Sequence, residues 1–251
     1  MAGPVFIIDG LKTVAKNQER ELFIGIDLGT RDKKTTGLCI LEKRKEGILP
    51  LISQCQDCRD VLGRDVLKKI SKYLKETKVI AVDGPLTKGG GKGMMRLYEK
   101  FLSTSIFRKE KVAPLPPALR PEFSDWAGEV AKRLEKKGFV LDLNLIEVFP
   151  TLIRKIVDQE LFLKSFERTP FNKNFGLTSC KNENQKSAFV CALMASLHFR
   201  LKTRYLGYRD GFLFLPETSL WKSEWREKFY RAWKEKPGLH YRYLITNIFA
   251  K

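Results

Sequence analysis

The chain of 251 residues is 43% hydrophobic and 30% charged, with 17 Phe, 7 Tyr and 4 Trp. That composition suits one large globular domain with small appendages and excludes a disordered chain. No apolar run approaches the ~18 residues of a spanning helix, and the formal charge of +18 favours a polyanionic partner. The one short apolar stretch near the start, at 5–8, meets Asp9 at once, so no signal peptide is expected. Five cysteines at irregular spacing do not form a disulfide framework, which places the expected location in the cytoplasm, away from membranes.

In chain order, residues 22–29 (LFIGIDLG), 36–41 (TGLCIL) and 48–54 (ILPLISQ) read as three strands. Their connections are too short for a crossover helix, so they are expected to pair as an antiparallel meander. Residues 57–76 switch to helical spacing through Val61, Leu62, Val66, Ile70, Tyr73 and Leu74. Residues 79–83 (VIAVD) form a buried strand, which makes that helix a crossover into parallel pairing. A Gly- and Lys-rich loop at 84–93 precedes helices at 94–103 and 122–137 and a strand at 143–149 stopped by Pro150. Residues 187–201 are apolar on most faces and mark a buried helix, and 212–215 is a last apolar stretch. The expected fold is α/β: a mixed sheet of three antiparallel strands followed by parallel strands with crossover helices. The domain is expected over 22–216, between an extension at 1–21 and a basic, Trp-rich extension at 217–251.

Three apolar strands each end near one acid: Asp27, Asp83 and Glu147. Strand alternation sets Phe23, Gly25 and Asp27 on one face, and Val79, Ala81 and Asp83 likewise. A carboxylate beside such neighbours is costly to desolvate unless something pairs with it. Mg²⁺ or Mn²⁺ would do so, and metals held there activate water and stabilise the leaving oxygen of a phosphodiester. The plain alternative is that these acids cap loops or pair with some of the 47 basic residues. Charge is uneven as well: residues 85–120 carry 8 basic against 2 acidic groups, and 200–251 carry 12 against 5. A nucleic-acid partner, DNA or RNA, accounts for that surplus, as does a Lys-rich solvated surface.

The segments GIDLG at 25–29, VDGPLT at 82–87, Arg96 with Glu99, IEVFP at 146–150 and SAFVCALMAS at 187–196 occur in an order that resembles the predicted RNase H-like nuclease family, also known as domain of unknown function 429. The resemblance covers residues 22–216. It implies a ribonuclease H-like fold and a metal-dependent nuclease activity, with Asp27 and Asp83 as metal-binding carboxylates and Glu147 as the acid of the fifth-strand motif. Where that pattern has an acid opening the last helix, this chain has Ser187, and the upstream acid corresponds to Asn184. Glu183 lies four residues before Ser187, so a helix longer by one turn sets both on one face and makes Glu183 a substitute ligand. Otherwise the site is short of a carboxylate, and the chain is a nucleic-acid-binding protein whose catalysis has decayed.

Lys88 and Lys92, in a loop that fails the P-loop pattern because Gly93 stands in the Ser/Thr position, are candidates for phosphate contacts. Arg96 is a further candidate, since a guanidinium binds phosphate bidentately. The GIDLGT segment also resembles the first phosphate motif of the sugar-kinase, actin and Hsp70 superfamily, which makes ATP-dependent phosphotransfer an alternative. Its second phosphate motif is poorly matched, and no Gly-Gly pair follows residue 91. Cys55 and Cys58 make one C-x-x-C with no second pair at zinc spacing. His198 is expected as a core histidine, while His240 in the tail is a potential proton shuttle. Trp221, Trp225, Phe229 and Trp233 recur every four residues, a stripe expected to dock onto the domain or to stack bases.

Overall fold

The computed structural model describes residues 20–44, 47–50, 59–90, 92–166, 180–235 and 243–249. The extension before residue 20, the Cys55 and Cys58 pair and His240 lie outside the described residues. Strands β1 (Glu21–Asp27), β2 (Thr36–Arg44) and β3 (Gly47–Pro50) form the expected antiparallel meander. Then β4 (Arg59–Val61), a 3-10 turn and the short helix α1 (Val66–Ile70) occupy the stretch read as one helix. Residues 59–61 join the ladder instead, pairing antiparallel with the first residues of β2. The crossover nevertheless delivers β5 (Thr77–Asp83) parallel to β1.

Beyond β5 come α2 (Leu97–Leu102), α3 (Ser105–Lys109), α4 (Pro121–Glu135) and β6 (Leu145–Glu147). Pro150 does not merely stop the strand: it opens α5 (Pro150–Ile156), where a residue without an N–H costs nothing. Next are α6 (Gln159–Lys164), α7 (Glu183–Phe199), the hairpin of β7 (Thr203–Tyr208) and β8 (Gly211–Pro216), α8 (Ser223–Glu235) and β9 (Ile245–Thr246). The mixed sheet runs β3-β2-β1-β5-β6-β8-β7-β9, with β4 on the same side of β2 as β3. The fold is α/β, with antiparallel and parallel pairings in one sheet. No helix among the described residues is long and apolar enough to cross a membrane.

Helices cover both faces, as a sheet with a parallel centre requires. On one face, Ile24, Ile26 and Val82 pack against Trp126, Val130 and Leu134 of α4. On the other, α7 lies over β1, β2 and β5, and its apolar residues are buried almost throughout. The contact is unusually close. A Cβ at Gly25 would stand 2.0 Å from the Ala188 carbonyl oxygen and 2.2 Å from the Ala192 nitrogen, and one at Gly37 would stand 2.2 Å from the Asn184 carbonyl oxygen. Helix α8 carries its stripe inward: Trp225 and Phe229 are buried, and Phe229 stacks edge-on against Phe107 and Trp221. The tail thus contributes to the core, and β9 pairs with β7. His198 is half-buried rather than in the core, and both ring nitrogens are engaged: Nδ1 with Thr203 Oγ1 (2.8 Å) and Nε2 with the Leu143 carbonyl (2.9 Å).

Gly25→Ala is expected to lift α7 from the sheet and cost about 3 kcal/mol, because the obstacle is helix backbone rather than a side chain that can rotate away. The midpoint of urea unfolding measures it, and an unchanged midpoint would refute the close approach.

Candidate active site

The parallel register of β1 and β5 sets Asp27 directly beside Asp83, on the face that α7 covers. Both open into a cleft of about 300 Å³ at the C-terminal ends of the strands, walled by Pro116, Arg120 and Phe123. In the neighbouring strands, Gly37 stands beside Asp27 and Asp60 beside Gly37, so three aspartates and a glycine line up across four strands. Among the described residues neither Asp27 nor Asp83 makes a side-chain hydrogen bond or ion pair. Burial pushes the Asp27 carboxyl up to about 7, against the pull of Arg154 and with a further push from Asp60. Asp83 is pushed well above the usual carboxylate range by burial, then by Asp27 and Glu147, with Arg154 again opposing. Cys191 of α7 sits against this pair, its sulfur hydrogen-bonded by the Asp83 backbone and its thiol pushed up by burial and by both aspartates.

Glu147 is placed differently. It is in register with Val82, one residue short of Asp83, and it lines the same cleft as the two aspartates. There its oxygens accept from Arg96 Nη1 (2.5 Å) and Nη2 (2.7 Å), from the Tyr98 hydroxyl and from the Leu86 backbone N–H (3.0 Å). Burial raises its carboxyl, and Arg96 opposes that rise. Arg96 in turn donates from Nη2 to Glu99 (2.7 Å), while the Glu99 carboxylate accepts the Arg96 backbone N–H (2.7 Å) and starts α2. With a side chain only 2% exposed and both forks engaged, Arg96 pins the loop after β5 to the end of β6. Arg96 and Glu147 thus both line the cleft with the aspartates, but their polar groups are engaged with one another and with Glu99 and Tyr98.

The remaining expected residues are scattered. Helix α7 does begin at Glu183, a turn earlier than its apolar pattern suggests, but the Glu183 side chain is 71% exposed. It pairs with Lys186 (2.7 Å) and lies 3.7 Å from Arg154 Nη1. Ser187 is buried on α7, one turn before Cys191. Lys88 is exposed and ion-paired with Asp125, and the side chain of Lys92 lies outside the described residues. Three neighbours had no part in the reading of the sequence: Arg154, Arg120 and Asp60. Arg154 Nη1 is buried with no hydrogen-bond partner among the described residues, and its charge acts on both aspartates. The signal for it was present, since a helix opened by Pro150 brings Arg154 to its second turn.

Compared with known proteins, the chain matches no family model, no curated protein and no solved structure. The chemistry therefore rests on the residues themselves. Two adjacent aspartates without protein partners present hard oxygen donors to a cleft, a donor set that fits Mg²⁺ or Mn²⁺ completed by water or phosphate. No group of three or more His, Cys, Asp or Glu at metal-holding distance occurs among the described residues, so this chain would supply two ligands rather than a cage.

Arg96→Met should destabilise the fold by about 3–5 kcal/mol at neutral pH, because Glu147 and Glu99 are left buried without their cation. Chemical denaturation measures the loss. A second test follows from Asp27, whose folded carboxyl at about 7 lies above its ordinary 3.8. The folded state holds the extra proton, so stability present below the ordinary value is lost as pH rises through about 7. Without divalent cations, the unfolding midpoint should fall between about pH 4 and about pH 7, and Asp27→Asn should flatten that slope.

Proposed function

We propose that the protein is a metal-dependent phosphodiesterase acting on nucleic acid, on a ribonuclease H-like fold. The observation that carries this reading is the side-by-side placement of Asp27 and Asp83 at the mouth of a cleft, desolvated and unpaired among the described residues of a chain with a surplus of cations. Three antiparallel strands followed by β5 and β6 parallel to β1 support the fold. Asp27 and Asp83 would hold Mg²⁺ or Mn²⁺, which when bound supplies Lewis-acid polarisation of the phosphodiester and an activated water. Arg154 brings a guanidinium to the same pair whose Nη1, 3.7 Å from Glu183, makes no hydrogen bond among the described residues and suits a non-bridging phosphate oxygen. Arg120 stands on the cleft wall as a second phosphate contact. The buried bond of Glu147 to Arg96 and to the Leu86 N–H holds the loop after Asp83 in position, a positioning role.

A specific observation favours the second reading, a nucleic-acid-binding protein that no longer cuts. Helix α7 presents Asn184 and Ser187 where the resemblance implies acids, and Glu147 is engaged elsewhere. The two readings separate on metal. Thermal unfolding of wild type in low salt should shift upward with millimolar Mn²⁺ or Mg²⁺, and Asp27→Asn should lose the shift. Hydrolysis of a labelled oligonucleotide should drop at least ~100-fold in Asp27→Asn, more than the loss typical of outer-shell partners. Equal cutting by the variant and wild type would refute the nuclease reading. Absence of both shift and cutting, with binding intact, would favour the second.

A further inference from the structure

We propose that a groove leading away from the aspartates is a subsite for one unstacked nucleotide, making single-stranded nucleic acid the substrate class. The inference rests on the reading of the cleft as a phosphodiesterase site and assigns its neighbour a role. A second concavity of about 720 Å³ adjoins the cleft and shares Arg120 and Phe123 with it. Its far side is formed by Arg31 and Lys33 from the turn after β1, and by Trp126 of α4. A chain whose phosphate lies at Asp27 and Asp83 would thus pass Arg120 and set its next nucleotide against Arg31.

Charge and aromatic surface agree with that occupant. Lys33 and Arg120 have no acidic partner among the described residues, whereas three of the four acids in this groove are already paired. Asp32 pairs with Arg64, Asp125 with Lys88, and Glu129 with Arg31 and Arg133, which leaves Glu122. The Arg31 guanidinium lies 5.4 Å from the centre of the Trp126 ring, while the Arg31 side chain remains 56% exposed. A guanidinium resting on an indole is a platform on which a base continues the stack. The Trp126 indole N–H is buried without an acceptor among the described residues, an uncommon state for a buried donor. Only an unstacked base can use such a platform, which is why a single strand fits and a duplex does not.

Fluorescence anisotropy with Ca²⁺ in place of Mg²⁺ or Mn²⁺, which neutralises the carboxylates with a larger ion of looser geometry, provides the test, with the probes checked to be uncut. The probes are a labelled oligothymidine and a duplex of equal length, with wild type, Arg31→Ala and Lys33→Ala. Arg31→Ala should weaken single-strand binding about tenfold, the loss expected for one stacked base, with duplex binding changed far less. Lys33→Ala should weaken binding and lower the salt slope by about one. Wild-type single-strand affinity in both variants, or equal losses on single strand and duplex, would overturn the subsite. The metal-induced shift in unfolding temperature is read in parallel. Groove losses without any metal shift would overturn the phosphodiesterase reading and leave a single-strand binding groove. A metal shift with silent groove variants would overturn the subsite alone.

Discussion

The backbone of α7 rests directly on the backbone of β1 and β2 at Gly25 and Gly37, and much of the molecule is arranged around that contact. A helix this close excludes solvent from the face of the sheet on which Asp27 and Asp83 lie. Desolvation is the first cause of the raised carboxyl groups of both, so their chemistry begins with two missing side chains on neighbouring strands. The same closeness brings Cys191 against Asp83 and buries Ser187 on the helix turn before it. A side chain at Gly25 would separate helix from sheet, admit water and return the two aspartates to ordinary acids.

The acids of the central strands thereby divide into two kinds. Glu147 is surrounded by donors: two from Arg96, one from Tyr98 and one from the Leu86 backbone. Asp27 and Asp83 have each other and, further off, Arg154. A satisfied carboxylate stabilises and positions, while an unsatisfied pair is costly to keep unless a ligand compensates it. The register of β6 draws the line between the two kinds, since one residue separates the position of Glu147 from that of Asp83.

The central strands were legible from residue type alone, because apolar runs ending in an acid are rare enough to mark both strand and face. The stretch 57–76 reads as one helix because Val61 and Leu62 fit a helical spacing, although residues 59–61 pair with β2. Helices α3, α5 and α6 have five to seven residues, too few for a period to show. Strand β7 gives no clear sequence signal because Thr203–Tyr208 mixes polar and aromatic residues and is only partly buried between β8 and the short β9. At the site, Asp27 and Asp83 could be placed from alternation, whereas the role of Arg96 depends on Glu147, 51 residues away, and on a register that only the folded sheet defines. Arg154 is hard to place from sequence because Pro150 both ends the strand and opens α5.

The charge of +18 and the acid-lined cleft act over different distances. Arg96 is buried between two carboxylates, so it adds nothing to the positive field felt outside. Far from the surface a polyanion is attracted by the excess of lysine and arginine, over the ~10 Å that salt permits. Within a few ångströms of the cleft it meets Asp27 and Asp83, and once these are ionised the sign reverses. Attraction to the body and repulsion at the mouth impose an order of events under the proposed chemistry: a small cation enters first, and the phosphate backbone settles only after it has changed the sign of the entrance.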